Sequence, residues 1–115
     1  MKKEEKYELL WALYRHTHES VRAHLNGIYY TNKGDYSKAD KWEQEAVEER
    51  GAARGIILLI DALYVGTDDP LGYADLRECA NRLIAMAEED AQAKTSHGLR
   101  HIERMAREMD IDDDD

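Results

Sequence analysis

The sequence predicts an all-α fold, a helical bundle built on a long antiparallel helix hairpin with one or two C-terminal helices. Three observations carry that prediction. Ala, Glu, Lys, Leu and Arg make up 47% of the 115 residues, a share typical of long helices. There are only three Val, seven Ile and four Thr, and no Phe, so the residue types that favour strands are scarce. One Pro and seven Gly leave little material for a loop-rich fold. Leu, Ile, Val and Phe together reach only 18%, a thin core for a chain of this size. The expectation is therefore a core shared with a second copy, a dimer, or with a partner.

The first helix is expected over residues 3–31. Tyr7, Trp11, Tyr14, His18, Val21, Leu25 and Ile28 are spaced alternately four and three apart. That seven-residue repeat marks a stripe that packs along another helix. Leu9, Leu10 and Leu13 widen the stripe near the N-terminus, so that end is expected to be covered on two sides. Thr31-Asn32-Lys33-Gly34-Asp35 breaks the pattern. Gly34 suits the left-handed position just past a helix end, and Asp35 or Ser37 can cap the next helix.

The second helix starts near Tyr36. Ala39, Trp42, Ala46, Ala53, Ile57, Ile60 and Tyr64 keep helical phase, and one helix to about Val65 is the preferred reading. Gly51 and Gly55 each cost about 1 kcal/mol against Ala inside a helix. They either mark a break or admit another backbone closely. Gly66-Thr67-Asp68-Asp69-Pro70 is the clearest boundary, with Pro70 suited to a first helical position. The third helix carries Tyr73, Leu76, Ala80, Leu83 and Ala87. Its pattern fades across Glu88-Glu89-Asp90 and resumes with Leu99, Ile102, Met105, Ala106 and Met109. This stretch is either one bent helix or two, with Thr95 or Ser96 opening the fourth.

Leu25, Asn26, Tyr29, Tyr30, Gly34, Asp35, Tyr36, Ala39, Trp42 and Ala46 resemble the middle of a tetratricopeptide repeat, a helix-turn-helix protein-binding unit. The resemblance covers about a fifth of the chain, and no second copy follows. It implies a helix hairpin rather than a repeat array.

Charge and cysteine content narrow the function classes. The formal charge is −9, with ten basic and ten acidic side chains in residues 1–55 and six basic and fifteen acidic in residues 56–115. Residues 110–115 read as an acidic disordered tail on a single domain spanning 1–109. No basic stripe stands out, which disfavours direct nucleic-acid binding. No apolar run approaches the roughly 20 residues that span a bilayer. Cys79 is the single cysteine, so no intrachain disulfide is expected, and a cytoplasmic location follows by default.

Candidate sites are few. Tyr29, Tyr30, Asn32, Lys33 and Tyr36 crowd the tip between the first two helices. Tyr offers large contact area at low entropy cost, so this tip is the preferred partner-binding site. Arg50, Arg54, Tyr64 and Arg77 are candidates for an anionic, nucleotide-like ligand. Glu45 and Glu48 make an E-x-x-E step of the kind that all-α nucleotide pyrophosphohydrolases use to hold magnesium. The second acidic step of that family is missing, and Asp61 stands alone thirteen residues on. His97 and His101 are weak metal candidates at i, i+4. His18 reads as a hydrogen-bonded core histidine. Cys79 reads as a buried thiol, because nothing local supplies an activating base. The function expected is a non-enzymatic protein-interaction module, an adaptor or stoichiometric inhibitor, with no cofactor. A small anionic-ligand binder and a magnesium-dependent nucleotide hydrolase are the alternatives.

Overall fold

The structure, a computed structural model, describes residues 3–63 and 70–109. Residues 1–2 and 64–69, the acidic C-terminus 110–115 and the side chains of residues 70–73 and of Met109 lie outside that description. The described chain is all-helical: α1 Lys3–Asn32, α2 Tyr36–Leu63, α3 Pro70–Gln92 and α4 Gly98–Met109. No described helix is long and apolar enough to cross a membrane.

Local chemistry explains the ends. At the close of α1, Asp35 N–H donates to the Tyr30 carbonyl at 2.9 Å and Gly34 N–H to the Thr31 carbonyl at 3.0 Å. This pair of reverse bonds stops a helix when the residue between them turns left-handed. Gly34 does so at φ +77° and carries no Cβ to resist it. Asp35 then caps α2, its Oδ1 accepting from Lys38 N–H at 3.2 Å. The same reverse pair ends α3, with Thr95 N–H donating to the Asp90 carbonyl and Lys94 N–H to the Ala91 carbonyl. There the left-handed residue is Lys94, at φ +60°, where glycine would cost less. The fading pattern after Glu88 is therefore a true break, and residues 70–109 form two helices.

α2 continues unbroken through Gly51 and Gly55. Neither glycine serves a close crossing inside the chain, since a Cβ at either would meet nothing within 4 Å. Both sit on the outer side of α2, with Val47 60% and Leu58 62% exposed nearby.

α2 runs back along α1, and cross-helix pairs fix the register. His24 Nδ1 donates to Glu43 at 3.0 Å, and eight residues earlier His16 Nδ1 donates to Glu49. The buried line on α1 is Lys6, Leu10, Leu13, Tyr14, Thr17, Ser20, Ala23 and Gly27. The expected stripe is thus displaced towards smaller residues. Thr17, Ser20, Ala23 and Gly27 let α2 approach closely where larger side chains would hold it off. Val21 and Leu25 sit beside that line, and Ile28 is 43% exposed.

The main core lies at the N-terminal half of α1. Leu10, Leu13 and Tyr14 meet Ile60 of α2, Leu76, Leu83 and Ala87 of α3, and Ile102 and Met105 of α4. α1 touches all three other helices, whereas α2 and α3 scarcely meet. The molecule measures 54 × 27 × 17 Å, with a radius of gyration of 16.0 Å. A compact chain of this length would have about 13 Å.

Candidate functional site

Because α2 and α3 splay apart over α1, an open groove runs between them. Its wider part, about 500 Å³, is floored by Leu13, Thr17, Val21 and Leu25 and walled by Ile57 of α2 and Ile84 of α3. A second part of about 380 Å³ continues it towards the α1–α2 turn. The two share Leu25 and Gln92, and the second adds Tyr29, Tyr30 and Trp42. From Leu13 to Tyr30 the groove follows seventeen residues of α1, about 26 Å. Val21 and Leu25 belong to the stripe whose spacing calls for a packed helix. The first half of that stripe is covered by α3 and α4; of the second half, Val21 and Leu25 floor the groove and Ile28 lies exposed outside its lining.

Polar groups border this apolar floor. Arg50 and Arg54 line the α2 wall, with Glu88 opposite on α3. Arg22 and Lys94 flank the turn end, Arg22 also donating to the Ala91 carbonyl at 3.4 Å. In the floor, Thr17 is 8% exposed and its hydroxyl has no hydrogen-bond partner. A helical threonine usually returns its hydroxyl to the carbonyl four residues back, and a buried hydroxyl left unpaired is costly.

The tip residues divide between two positions. Tyr29 and Tyr30 reach the groove end, ring edge to ring face at 5.1 Å. Lys33 Nζ stands 4.7 Å over the Tyr29 ring and Lys38 Nζ 5.3 Å over that of Tyr30. Asn32, Lys33 and Tyr36 lie exposed at the turn, outside the groove lining. Tyr36, 66% exposed, is the most open of the described aromatics, so it closes nothing off.

The anionic-ligand candidates are split. Arg50 and Arg54 share the groove wall, but Arg77 turns to Asp61 at 3.2 Å and to Asn81 at 2.6 Å, and Tyr64 lies outside the described residues. The carboxylates of the hydrolase alternative do not converge. Glu45 and Glu48 lie exposed on α2, and Asp61 is about 20 Å further along the helix in its pair with Arg77. Among the described residues no group of three His, Cys, Asp or Glu side chains could hold a metal ion.

His97 and His101 are instead parts of a cluster that the sequence did not reveal. Asp90 is nearly buried, and its Oδ2 accepts from Tyr14 hydroxyl at 2.6 Å, His101 Nε2 at 3.0 Å and His97 N–H at 3.3 Å. His97 N–H also donates to the Tyr14 oxygen at 3.0 Å. Burial alone would raise the Asp90 pKa, but the bonds from Tyr14, His101 and His97 outweigh it and hold the carboxyl below its ordinary value. Burial, then Asp90, pushes the Tyr14 phenol up. His18 Nε2 donates to the Thr95 carbonyl at 2.6 Å, pinning the α3–α4 turn to α1. The cluster is a structural clasp joining α1, α3 and α4. Nearby, Gly98 lets α4 start flush against the rings, since a Cβ there would stand 2.5 Å from Tyr14 Cδ1 and 2.7 Å from Trp11 Cζ3. Cys79 is fully buried, and burial pushes its thiol up to about 11, far from a reactive thiolate.

Compared with known protein families, curated proteins and solved structures, the chain matches none. The tetratricopeptide-like residues thus carry no family assignment, and function rests on the groove itself.

Proposed function

We propose that the chain is a non-enzymatic helical interaction module, an adaptor or stoichiometric inhibitor, that docks a helix of another protein between α2 and α3. One observation carries this reading. The seven-residue stripe of α1 is half covered, and its open half, Val21 and Leu25, floors a groove of helix length. Such a stripe is stable when a second helix packs along it. The tip tyrosines extend the same surface at one end.

The test is a photo-crosslinking residue at Ile57, in the groove, compared with one at Gln44 on the outer side of α2. The expected result is a polypeptide crosslinked from Ile57 and not from Gln44, lost when Ile84 is changed to Lys at unchanged helix content. Equal crosslinking from both positions refutes the reading.

A second reading is favoured by Arg50 and Arg54 beside a cavity of about 500 Å³. That volume falls within the roughly 300–1,000 Å³ of small-molecule sites, and an anionic ligand would satisfy both guanidiniums. A rise in melting temperature with one member of a nucleotide panel, abolished by Arg50→Ala, would support it. We also infer self-association through the outer side of α2, where Val47 and Leu58 stay exposed beside the open Gly51 and Gly55. Equilibrium sedimentation showing a 13.3 kDa monomer at micromolar concentration would exclude it.

A further inference from the structure

The groove's charge is opposite to that of the chain that forms it. The protein carries −9, yet the groove is bordered by Arg22, Arg50, Arg54 and Lys94 against the single carboxylate of Glu88. Neighbouring acids on α2 are turned elsewhere: Glu43 to His24, Glu49 to His16 and Asp61 to Arg77. Two guanidiniums beside an apolar floor, in a chain with 25 acidic side chains, make a surface built for an incoming negative charge. Lys94 stands at the turn end in a left-handed conformation that a glycine would hold at less cost.

We propose that the occupant of the groove is an acidic amphipathic helix of a partner protein, about seventeen residues long. This rests on the docking reading above and specifies the partner's chemistry. The length follows from the 26 Å of groove at about 1.5 Å per residue. Its apolar side chains, spaced i, i+3, i+4 and i+7, lie on Val21, Leu25, Ile57 and Ile84. Its carboxylates flank that stripe and meet Arg50 and Arg54 along one wall, and Arg22 and Lys94 at the turn end. A small anion would use the arginines but leave most of the apolar floor wet. A second copy would bring net negative charge without a fixed match to these four cations.

The experiment is a displayed library of seventeen-residue helices, selected against the full-length protein. The apolar stripe varies among Leu, Ile, Val and Met, and each flanking position is free to be Glu or Lys. The expected outcome is enrichment of binders with Glu at the flanks. Converting those Glu to Lys should weaken binding at least tenfold, and raising salt from 50 to 500 mM should weaken it severalfold. The double variant Arg50→Glu/Arg54→Glu should select Lys instead. Binders with no Glu preference overturn the acidic assignment and leave helix docking standing. No binder, together with a protein crosslinked from Ile57, overturns the helix assignment while the interaction function survives. No binder and no crosslink removes both. A dimer that buries the groove and blocks every library member identifies a second copy as the occupant and overturns the proposal.

Discussion

Replacing Asp90 with Asn tests the clasp that joins three helices. One oxygen of Asp90 accepts from Tyr14, His101 and the His97 backbone, and the carboxylate is only 12% exposed. Hydrogen bonds to a charged, buried acceptor are worth about 1.5–3 kcal/mol each, and they do not add fully. Asn keeps the shape and one acceptor but loses the charge, so the expected loss is about 2–4 kcal/mol. The pH dependence has a definite sign. The folded-state pKa lies below the ordinary 3.8, so the unfolded chain takes up the proton first as pH falls. The contribution is fully present above the unfolded value and is lost as pH drops through the folded value. Urea denaturation followed by circular dichroism should show the full gap between wild type and Asp90→Asn at pH 7. That gap should shrink below pH 3.8. A gap under 0.5 kcal/mol at pH 7, or one equally large at pH 2.5, would mean that the Asp90 carboxylate does not hold the three helices together.

Four further outcomes are expected. Thr17→Val removes an unpaired buried hydroxyl at nearly constant volume, so the free protein should gain up to about 1 kcal/mol in urea denaturation. Gly98→Ala drives a methyl into the Tyr14 and Trp11 rings and should cost about 1–3 kcal/mol, seen as a lower melting temperature with altered near-ultraviolet dichroism. Gly51→Ala with Gly55→Ala has open space and should raise stability by about 1 kcal/mol per site in a monomer; a falling melting temperature accompanied by a lost dimer mass would instead place both glycines in an interface. Lys94→Gly relieves the left-handed residue and should stabilise by about 1 kcal/mol, while removing one cation from the groove and weakening acidic-helix binding.

The helical elements were legible because local chemistry sets them. Gly34 and Asp35 name their turn in composition alone, Pro70 opens α3 as its fixed backbone angle requires, and the continuity of α2 through two glycines follows from its sustained apolar phase. The contact line of α1 was less legible. Thr17, Ser20 and Gly27 are small, not apolar, and counting hydrophobic residues passes over a seam chosen for closeness. Asp90 was hidden in a run of acids that reads as solvated, because its partners lie 76 residues before it on Tyr14 and 11 residues after it on His101. Of the site, the sequence named Tyr29, Tyr30, Arg50 and Arg54 but not their common groove. What joins them is the angle between α2 and α3, a tertiary property with no signature in either helix alone.

The clasp also sets how the molecule opens. α4 is twelve residues long, near the length at which an isolated helix is marginal in water. Its attachment is concentrated in Ile102, Met105 and Ala106, the Asp90 oxygen and the glycine at its start. Such an element detaches as one unit before the rest unfolds, a sub-global opening. Amide exchange in α4 should then proceed at a common rate, faster than in α1 beneath it, and each opening would bare the Tyr14 and Trp11 rings. In that open form, the half of the α1 stripe that the closed form conceals would become a second, transient apolar face.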